Sequence, residues 1–433
     1  MRDEDIERPV SQDSASESED FRSDDPRPST TTHHSPPLTR IRALDLTTMF
    51  SGAFGASLLG DFGADVIKVE LPGTGDPVRG MAPSKDGVSL TWAVLSRNKR
   101  SVTLDIRKPA GRELLLQLVA KSDVLFENFR PGTLGRYGLD YPTLQAANPG
   151  IVVVRVSGYG QSGPYRDKAG FGTPATAFSG LTYMTGYPDR APVNQPFPLA
   201  DYATGIFAAL SALIALYYRD ADGGDGQGQE ADLALYESLF RLLESTVPAY
   251  DQHGTVAERR GNALAVASPV GTFATRDGRW VVLTASTQRT FERFCTVTGL
   301  DWLLTDERFA TNELRVSNNA QLEPLVAAWF AARGRDEAIA LLDRAGVPIS
   351  PIVSMEDIFE NEHYAARDNL IEVEHPTFGI LRMPGLVPKL SRTPGRVKHV
   401  GAHELGAFNT EIFGDLLGLT EEQRQQLKAD GVI

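Results

Sequence analysis

The apolar pattern of the chain begins at Thr39. Ahead of it, residues 1–38 are rich in Ser, Asp, Glu, Pro and Thr and carry too little apolar surface to offset the entropy of ordering, so they read as a disordered acidic tail. Beyond it the spacing becomes regular. "IRALDL" has the character of a strand, "AFGASLLGDFG" that of the helix after it, and "ADVIKVE" that of a second strand. "SVTLDI" reads as a third strand, and "PAGRELLLQLVAKS" carries Pro109 at its head and apolar residues at helical spacing. "DVLFENF" and "GIVVVRVSGYG" are further strands, with "DYPTLQAANPG" as the helix between them. Strand and helix in alternation predict an α/β fold, a parallel sheet with helices on its faces, over a large domain at 39–235.

The pattern changes after the long apolar helix that follows Asp201. "GDGQGQEADLALYESLFRLLES" reads as a Gly-rich turn leading into another helix. "GTFATRDGRWVVLTAS" places Asp277-Gly278 between two β-rich runs, a hairpin signal. Helices are expected around "TFERFCTVTG", "EPLVAAWFAARG" and "RDEAIALLDRAG", giving a smaller α+β domain at 258–360. The last segment, 380–433, ends in the amphipathic "TEEQRQQLKADGVI" and is expected to return to the large domain.

Composition narrows the classes. A chain of 433 residues exceeds what one core usually serves, and 41% apolar with 23% charged residues is ordinary for a globular protein. A formal net charge of −13 argues against nonspecific nucleic-acid binding and against docking on anionic lipid. Cys295 is the only cysteine, so neither an intrachain disulfide nor a thiolate metal site is expected. The run Gly205 to Tyr218 is too short to span a bilayer and reads as a buried core helix; "MRDEDIERPV" lacks the apolar region of a signal peptide, and a cytoplasmic location is the expectation. Gly52, Gly55 and Gly60 follow a strand, but not in the G-x-G-x-x-G spacing of a dinucleotide site, which counts against a NAD-dependent dehydrogenase. There is no P-loop, no G-x-S-x-G and no histidine pair at metal-ligand spacing, so no metal is expected.

Three groups of residues carry candidate chemistry. "SRNKRSVTLDIRKP" and "ENFRPGTLGRYG" concentrate Arg97, Lys99, Arg100, Arg107, Lys108, Arg130 and Arg136 on an acidic protein; they suit phosphates or are solvated loop charges. Asp201 heads the apolar helix; it is a candidate N-cap and, equally, a carboxylate kept ionised by the helix dipole and able to attack a thioester carbonyl. "SGYGQSGPY" is either an ordinary Gly-rich turn or one whose amides approach an oxyanion.

Taken in order, "LLGDFGADVIKVELPGTGDPVR", the block from Asn98 to Tyr165 and the Asp201 helix resemble class III CoA-transferases, the superfamily of formyl-CoA transferase, carnitine CoA-transferase and α-methylacyl-CoA racemase. The resemblance spans about residues 39–430. It implies a Rossmann-like large domain completed by the C-terminal end, a small domain, and an obligate homodimer of interlocked rings. It implies that Asp201 is catalytic, taking the acyl group as a mixed anhydride and then CoA as an aspartyl thioester before an acceptor carboxylate displaces it. Coenzyme A thioester is then a substrate, and no tightly bound cofactor is implied. The matching CoA-binding positions are Thr48, Met49, Phe50, Ser51, Leu104, Arg107, Asn128, Phe129 and Arg136, with Gly158 and Gly160 in the turn that faces developing oxyanions. One family arginine corresponds to Leu71, for which Arg79 or Arg97 is a candidate replacement.

The racemases of the superfamily carry a histidine where this chain has Phe171, and Phe cannot move a proton. The segment "GFGTPATAFSGLTYMTGYPDRAPV" resembles transferases acting on small dicarboxylates, with Arg166, Lys168 and Arg190 as nearby cations. The implied activity is CoA transfer from an acyl-CoA to a small dicarboxylic acid, between molecules or within one. A 2-methylacyl-CoA racemase and a non-catalytic acyl-CoA-binding protein are the alternatives.

Overall fold

A computed structural model describes residues 35–433. The acidic tail expected at 1–38 therefore lies outside the described residues except for its last four. Those already belong to the fold: the Leu38 amide donates to the Phe62 carbonyl at 3.0 Å, and Leu38 packs on the core.

Strands β1 (Arg42–Asp45) and β2 (Asp65–Glu70) are joined by helix Ser51–Asp61. A two-residue-per-strand hairpin, β3 (Ser84–Lys85) and β4 (Val88–Ser89), precedes β5 (Lys99–Thr103). Next come β6 (Val124–Glu127), β7 (Val152–Ser157) and β8 (Glu230–Ala234). Six of these form one sheet in the order β5-β2-β1-β6-β7-β8, every neighbouring pair parallel. The chain winds outward from β1 in both directions, so a crevice opens at the C-terminal ends of β1 and β6, where doubly wound sheets hold ligands. The parallel α/β sheet expected from the pattern is present.

Both faces of the sheet are covered, which explains the near-continuous apolar runs of its central strands. Successive strand residues point to opposite faces. Ala43, Val66, Phe126 and Val154 meet the alanine-rich side of helix Leu199–Asp220. Leu44, Ile67, Leu125 and Val153 meet helix Pro109–Val119 and, from the far end of the chain, Ile412, Phe413, Val432 and Ile433. The backbone joins in, since the Asp105 amide donates to the Val432 carbonyl at 2.8 Å.

Two features differ from the sequence reading, and a third gives the rejected glycine motif its role. β8 was expected as a turn running into a helix; it is a strand at the sheet edge, where only Leu233 and Ala234 are buried and the apolar alternation is too short to register. Helix Leu199–Asp220 is long and apolar enough to cross a bilayer by length and composition, yet one face is buried in the core: Ala208, Ala212 and Ala215 are inside. It is not buried all round, because Ile206, Leu210, Ile214 and Tyr217 form an exposed apolar stripe, with Tyr217 79% accessible. Finally, Gly52, Gly55 and Gly60 serve close packing. A Cβ on Gly55 would stand 2.9 Å from the Gly205 carbonyl oxygen, and one on Gly205 would stand 2.6 Å from that of Ser51, so these two helices touch through glycine backbone.

A second sheet is antiparallel: β9 (Val270–Ala274), β10 (Trp280–Thr284) and β11 (Ile349–Pro351), in the order β11-β10-β9. The hairpin read from Asp277-Gly278 joins β9 to β10, with Gly278 at φ +72°. Helices Gln288–Thr298, Asn319–Ala331 and Arg335–Arg344 close a separate apolar core around Phe291, Phe294, Phe309 and Phe330. β12 (Leu370–His375) and β13 (Gly379–Pro384) make a last hairpin, whose Met383 packs on Ala93 and Val400.

Phe413 joins the C-terminal segment to the sheet from a fully buried position. Phe413→Ala is expected to lower stability by about 3–5 kcal/mol, read as a fall in the thermal midpoint. An unchanged midpoint would show that the returning segment contributes little to holding the sheet.

Candidate active site

The crevice is built on charges that the sheet buries. Asp45 ends β1 and is fully buried, with Lys99 Nζ at 2.8 Å and Lys68 Nζ at 3.6 Å. Lys68 also reaches Asp76 at 3.1 Å and donates to the Thr47 carbonyl. Burial would raise the Asp45 pKa, but the two ammonium groups and hydrogen bonds outweigh it and hold it at about 2. Burial opposes the charge on Lys68, yet Asp45 and Asp76 hold its pKa above the ordinary value. Asp76 then accepts from the Met49 amide at 3.3 Å. Asn128, just past β6, spans the gap: its Oδ1 accepts from the Thr48 amide at 2.9 Å and its Nδ2 donates to the Thr48 carbonyl at 2.7 Å. The loop after β1 is thus held from both sides, with Met49 at φ +65°.

Two cavities adjoin along this loop, both lined by Thr48, Pro77 and Phe129. One, of about 340 Å³, lies at the C-terminal end of β2 and the segment after β5 and is lined by Leu104, Arg107 and Tyr137 among others. The other, of about 470 Å³, is lined by Met49, Ser51, Asn128, Gly158, Phe171 and Asp201. Nearly all of the positions expected around CoA are therefore in one groove.

Asp201 is not the helix N-cap that the sequence suggested. The helix starts at Leu199, its N-cap is Pro198, and Asp201 is the third helical residue. Its carboxylate is consequently free to face the cavity. Burial pushes its pKa up to about 6, against a smaller lowering from its own backbone amide. It remains mostly ionised at neutral pH and is a stronger base and nucleophile than an exposed aspartate. The opposite wall lies against it, for a Cβ on Gly172 would stand 1.9 Å from Asp201 Oδ2. Gly158 and Gly170 cross at similarly close range, a Cβ on Gly158 falling 2.6 Å from the Gly170 Cα. Gly170 and Gly172 were not singled out in the sequence; the small residues of "AGFG" were the available signal.

Several expected residues fall outside the two cavities or into ion pairs. The Gly160 amide donates to Ser157 Oγ at 2.9 Å and Gly160 lines neither cavity, so it has no N–H to offer an oxyanion. Phe50 also lies outside both linings and packs toward Tyr202, ring centroids 5.9 Å apart. Arg136 is exposed, bonded to Thr133 Oγ1 at 2.9 Å, beside rather than in the groove. Arg79 and Arg97 cannot replace a phosphate ligand at Leu71: Arg79 grips Glu70 and sits 3.9 Å over Trp92, and Arg97 is buried against Asp61. Lys99 and Arg100 are likewise spent, on Asp45 and Asp65. Of the basic concentration, Arg107 is at hand in the smaller cavity, half-exposed and paired with Asp105 at 2.7 Å. Arg130 lines the larger one.

A doubly wound α/β fold with two adjoining cavities at its switch point, one of them lined by a desolvated aspartate, defines an α/β protein with a ligand-sized groove at the C-terminal edge of its sheet. The chain matches CoA-transferase family III over residues 38–406 and belongs to that family, as an enzyme of it. It is 44% identical to the succinyl-CoA–D-citramalate CoA-transferase of Chloroflexus aurantiacus over 92% of this chain and 98% of that one. It is 40% identical to the alpha subunit of a succinyl-CoA–L-malate CoA-transferase of Chloroflexus aurantiacus, over 92% of each chain. Among solved structures, a CAIB/BAIF family protein from Brucella suis aligns with a TM-score of 0.78 and 32% identity, covering 88% of this chain and 100% of that one.

The Asp201 pKa sets a pH profile. If activity requires this carboxylate in its ionised form, log kcat/KM is expected to rise with unit slope up to about pH 6 and to stay level above it; a profile flat to pH 4.5 would contradict this. Gly172→Ala places a methyl where the carboxylate stands. It is expected to lower kcat by about 100-fold while leaving the thermal midpoint unchanged, since the side chain can swing aside.

Proposed function

We propose that this enzyme moves CoA from an acyl-CoA such as succinyl-CoA to a small dicarboxylic acid, with Asp201 as the covalent carrier. The observation that carries the reading is the placement of Asp201: a carboxylate not used as a helix cap, raised in pKa by burial and facing the cavity that adjoins the Arg107 cavity. The names of the relatives, transferases between succinyl-CoA and citramalate or malate, support the substrate class.

In this reading an Asp201 oxygen adds to the thioester carbonyl, the carbon–sulfur bond breaks, and CoA thiolate leaves a mixed anhydride behind. The thiolate attacks the aspartyl carbon of the anhydride and expels the donor's carboxylate, giving an aspartyl-CoA thioester. The acceptor carboxylate repeats the sequence in reverse: its oxygen attacks the aspartyl carbon, thiolate leaves, and thiolate then takes the acyl carbon and frees Asp201. One thioester is exchanged for another at every turnover, so the bond energy is kept and no proton need be moved. Thr48, Met49, Ser51, Leu104 and Phe129 wall the CoA, Arg107 meets its phosphates, and Asn128, in the same lining, also holds the Thr48 backbone. Phe171 offers no second base, and among the described residues lining the Asp201 cavity there is no histidine; two-base racemisation lacks its partner.

The exposed stripe of Ile206, Leu210, Ile214 and Tyr217 is too apolar and too continuous for a solvent face. It supports association with a second copy of the chain, as the homodimer implied by the resemblance requires.

Incubation with succinyl-CoA and hydroxylamine is expected to convert Asp201 to its hydroxamate, located by peptide mass. Asp201→Asn is expected to give no adduct and to lower kcat by about 1,000-fold or more. Full turnover in that variant would remove the proposal.

A further inference from the structure

We infer that Arg166 and Lys168 form the subsite that reads the carboxylate at the far end of the acid, making the enzyme selective for dicarboxylates; the inference rests on the transferase reading above. The charge balance of the Asp201 cavity is the starting point. Its lining holds one carboxylate, Asp201, against three cations, Arg130, Arg166 and Lys168. An acid with two carboxylates brings two negative charges to a site that already holds one, partly desolvated. Without cations beside its remote end, repulsion would exclude it.

The three cations divide by position. Arg130 follows Phe129, which lines both cavities, and so stands beside the stretch where the groove continues toward Arg107. Arg166 and Lys168 lie on the segment after β7 that runs through Ala169, Gly170 and Phe171 to Gly172, whose backbone touches the Asp201 carboxylate. They belong to the acyl end. Their charges are also uncommitted. Lys168 makes no ion pair among the described residues, and Arg166 has only Asp167, at 3.5 Å and 83% exposed, where water weakens the pairing. Arg190, the third cation expected near the acid, lines neither cavity and pairs with Asp189.

Although it lies on an exposed segment, the Lys168 ammonium has a defined place. It sits 3.3 Å from the centre of the Tyr165 ring. That ring is itself fixed edge-on to Tyr159 at 5.8 Å and tilted against Phe178 at 5.8 Å, and both of these contact Tyr236. An aromatic cluster thus anchors the segment and holds the cation at the cavity wall, at little further entropic cost on binding.

The test compares donors that differ only at the far end. Hydroxamate formation at Asp201 is followed with succinyl-CoA and with butyryl-CoA, for the unaltered enzyme and for Arg166→Met, Lys168→Met and Arg130→Met. The unaltered enzyme is expected to favour succinyl-CoA. Arg166→Met and Lys168→Met are each expected to lower the succinyl-to-butyryl ratio of kcat/KM by about 10-fold to 100-fold, chiefly through KM for succinyl-CoA. Tyr165→Leu is expected to give a smaller loss in the same direction. A ratio near one in the unaltered enzyme, a ratio unchanged in both variants, or a loss confined to Arg130→Met overturns the inference. Failure of the unaltered enzyme to form any adduct with either thioester would instead count against the transferase reading itself.

Discussion

Asp45 lies at zero exposure between Lys68 and Lys99 at the C-terminal edge of the sheet, and the rest of the site is arranged around it. Two ammonium groups and several carboxylates are carried out of water there, which costs far more than any one pair regains unless every donor and acceptor is matched. The matching is close. Lys99 also donates to the Ala53 carbonyl at 2.6 Å, Thr47 to Asp45 at 2.5 Å, and Glu70 takes Arg79 and Ser101. These partners sit on β1 and the loop after it, β2, the turn Pro77–Gly80, β5 and the start of helix Ser51–Asp61, so satisfying the charges fixes how strand ends and helix start meet. The loop that emerges, Thr47 to Met49, is therefore rigid where it walls both cavities.

A second constraint acts on the opposite side of the groove. Helix Leu199–Asp220 approaches helix Ser51–Asp61 through Gly55 and Gly205, closer than any side chain would allow. That contact sets the depth of the first turn of the helix, and with it Asp201. Gly172 completes the placement by letting backbone come to van der Waals range of the carboxylate. The result is an aspartate buried enough for its pKa to rise to about 6, yet open to a ligand. Desolvation and access are opposed requirements, and glycine backbone on the facing wall reconciles them because it excludes water without offering a side chain that would fill the cavity.

The same economy explains the basic residues. A run of Arg and Lys in β5 and its flanks looks like a phosphate site in one dimension. In three, Arg97, Lys99 and Arg100 point into buried or half-buried ion pairs with Asp61, Asp45 and Asp65. Arg107, beyond the end of the strand, clears the sheet and enters the groove. Strand residues near a doubly covered sheet must find partners inside the protein, whereas loop residues past the strand end can turn to a ligand.

The alternation of apolar strands and helices from "IRALDL" to "GIVVVRVSGYG" determined the parallel α/β sheet, because both faces of such a sheet must be apolar and that requirement is written locally. Asp201 was legible for a similar reason: one acidic residue ahead of a long apolar helix stands out by itself. Tertiary structure decided the rest. Whether Asp201 caps the helix or faces a cavity depends on Pro198 taking the cap and on Gly172, 29 residues earlier, lying against it. Which cations remain free depends on carboxylates as distant as Asp45 is from Lys99. Gly160 was lost as an oxyanion donor to a hydroxyl three residues back, and β8 became a strand through pairing with β7 across more than seventy residues. Periodicity reports what a segment must bury; it is silent on which distant group will satisfy a charge, and the chemistry of this site rests on that pairing.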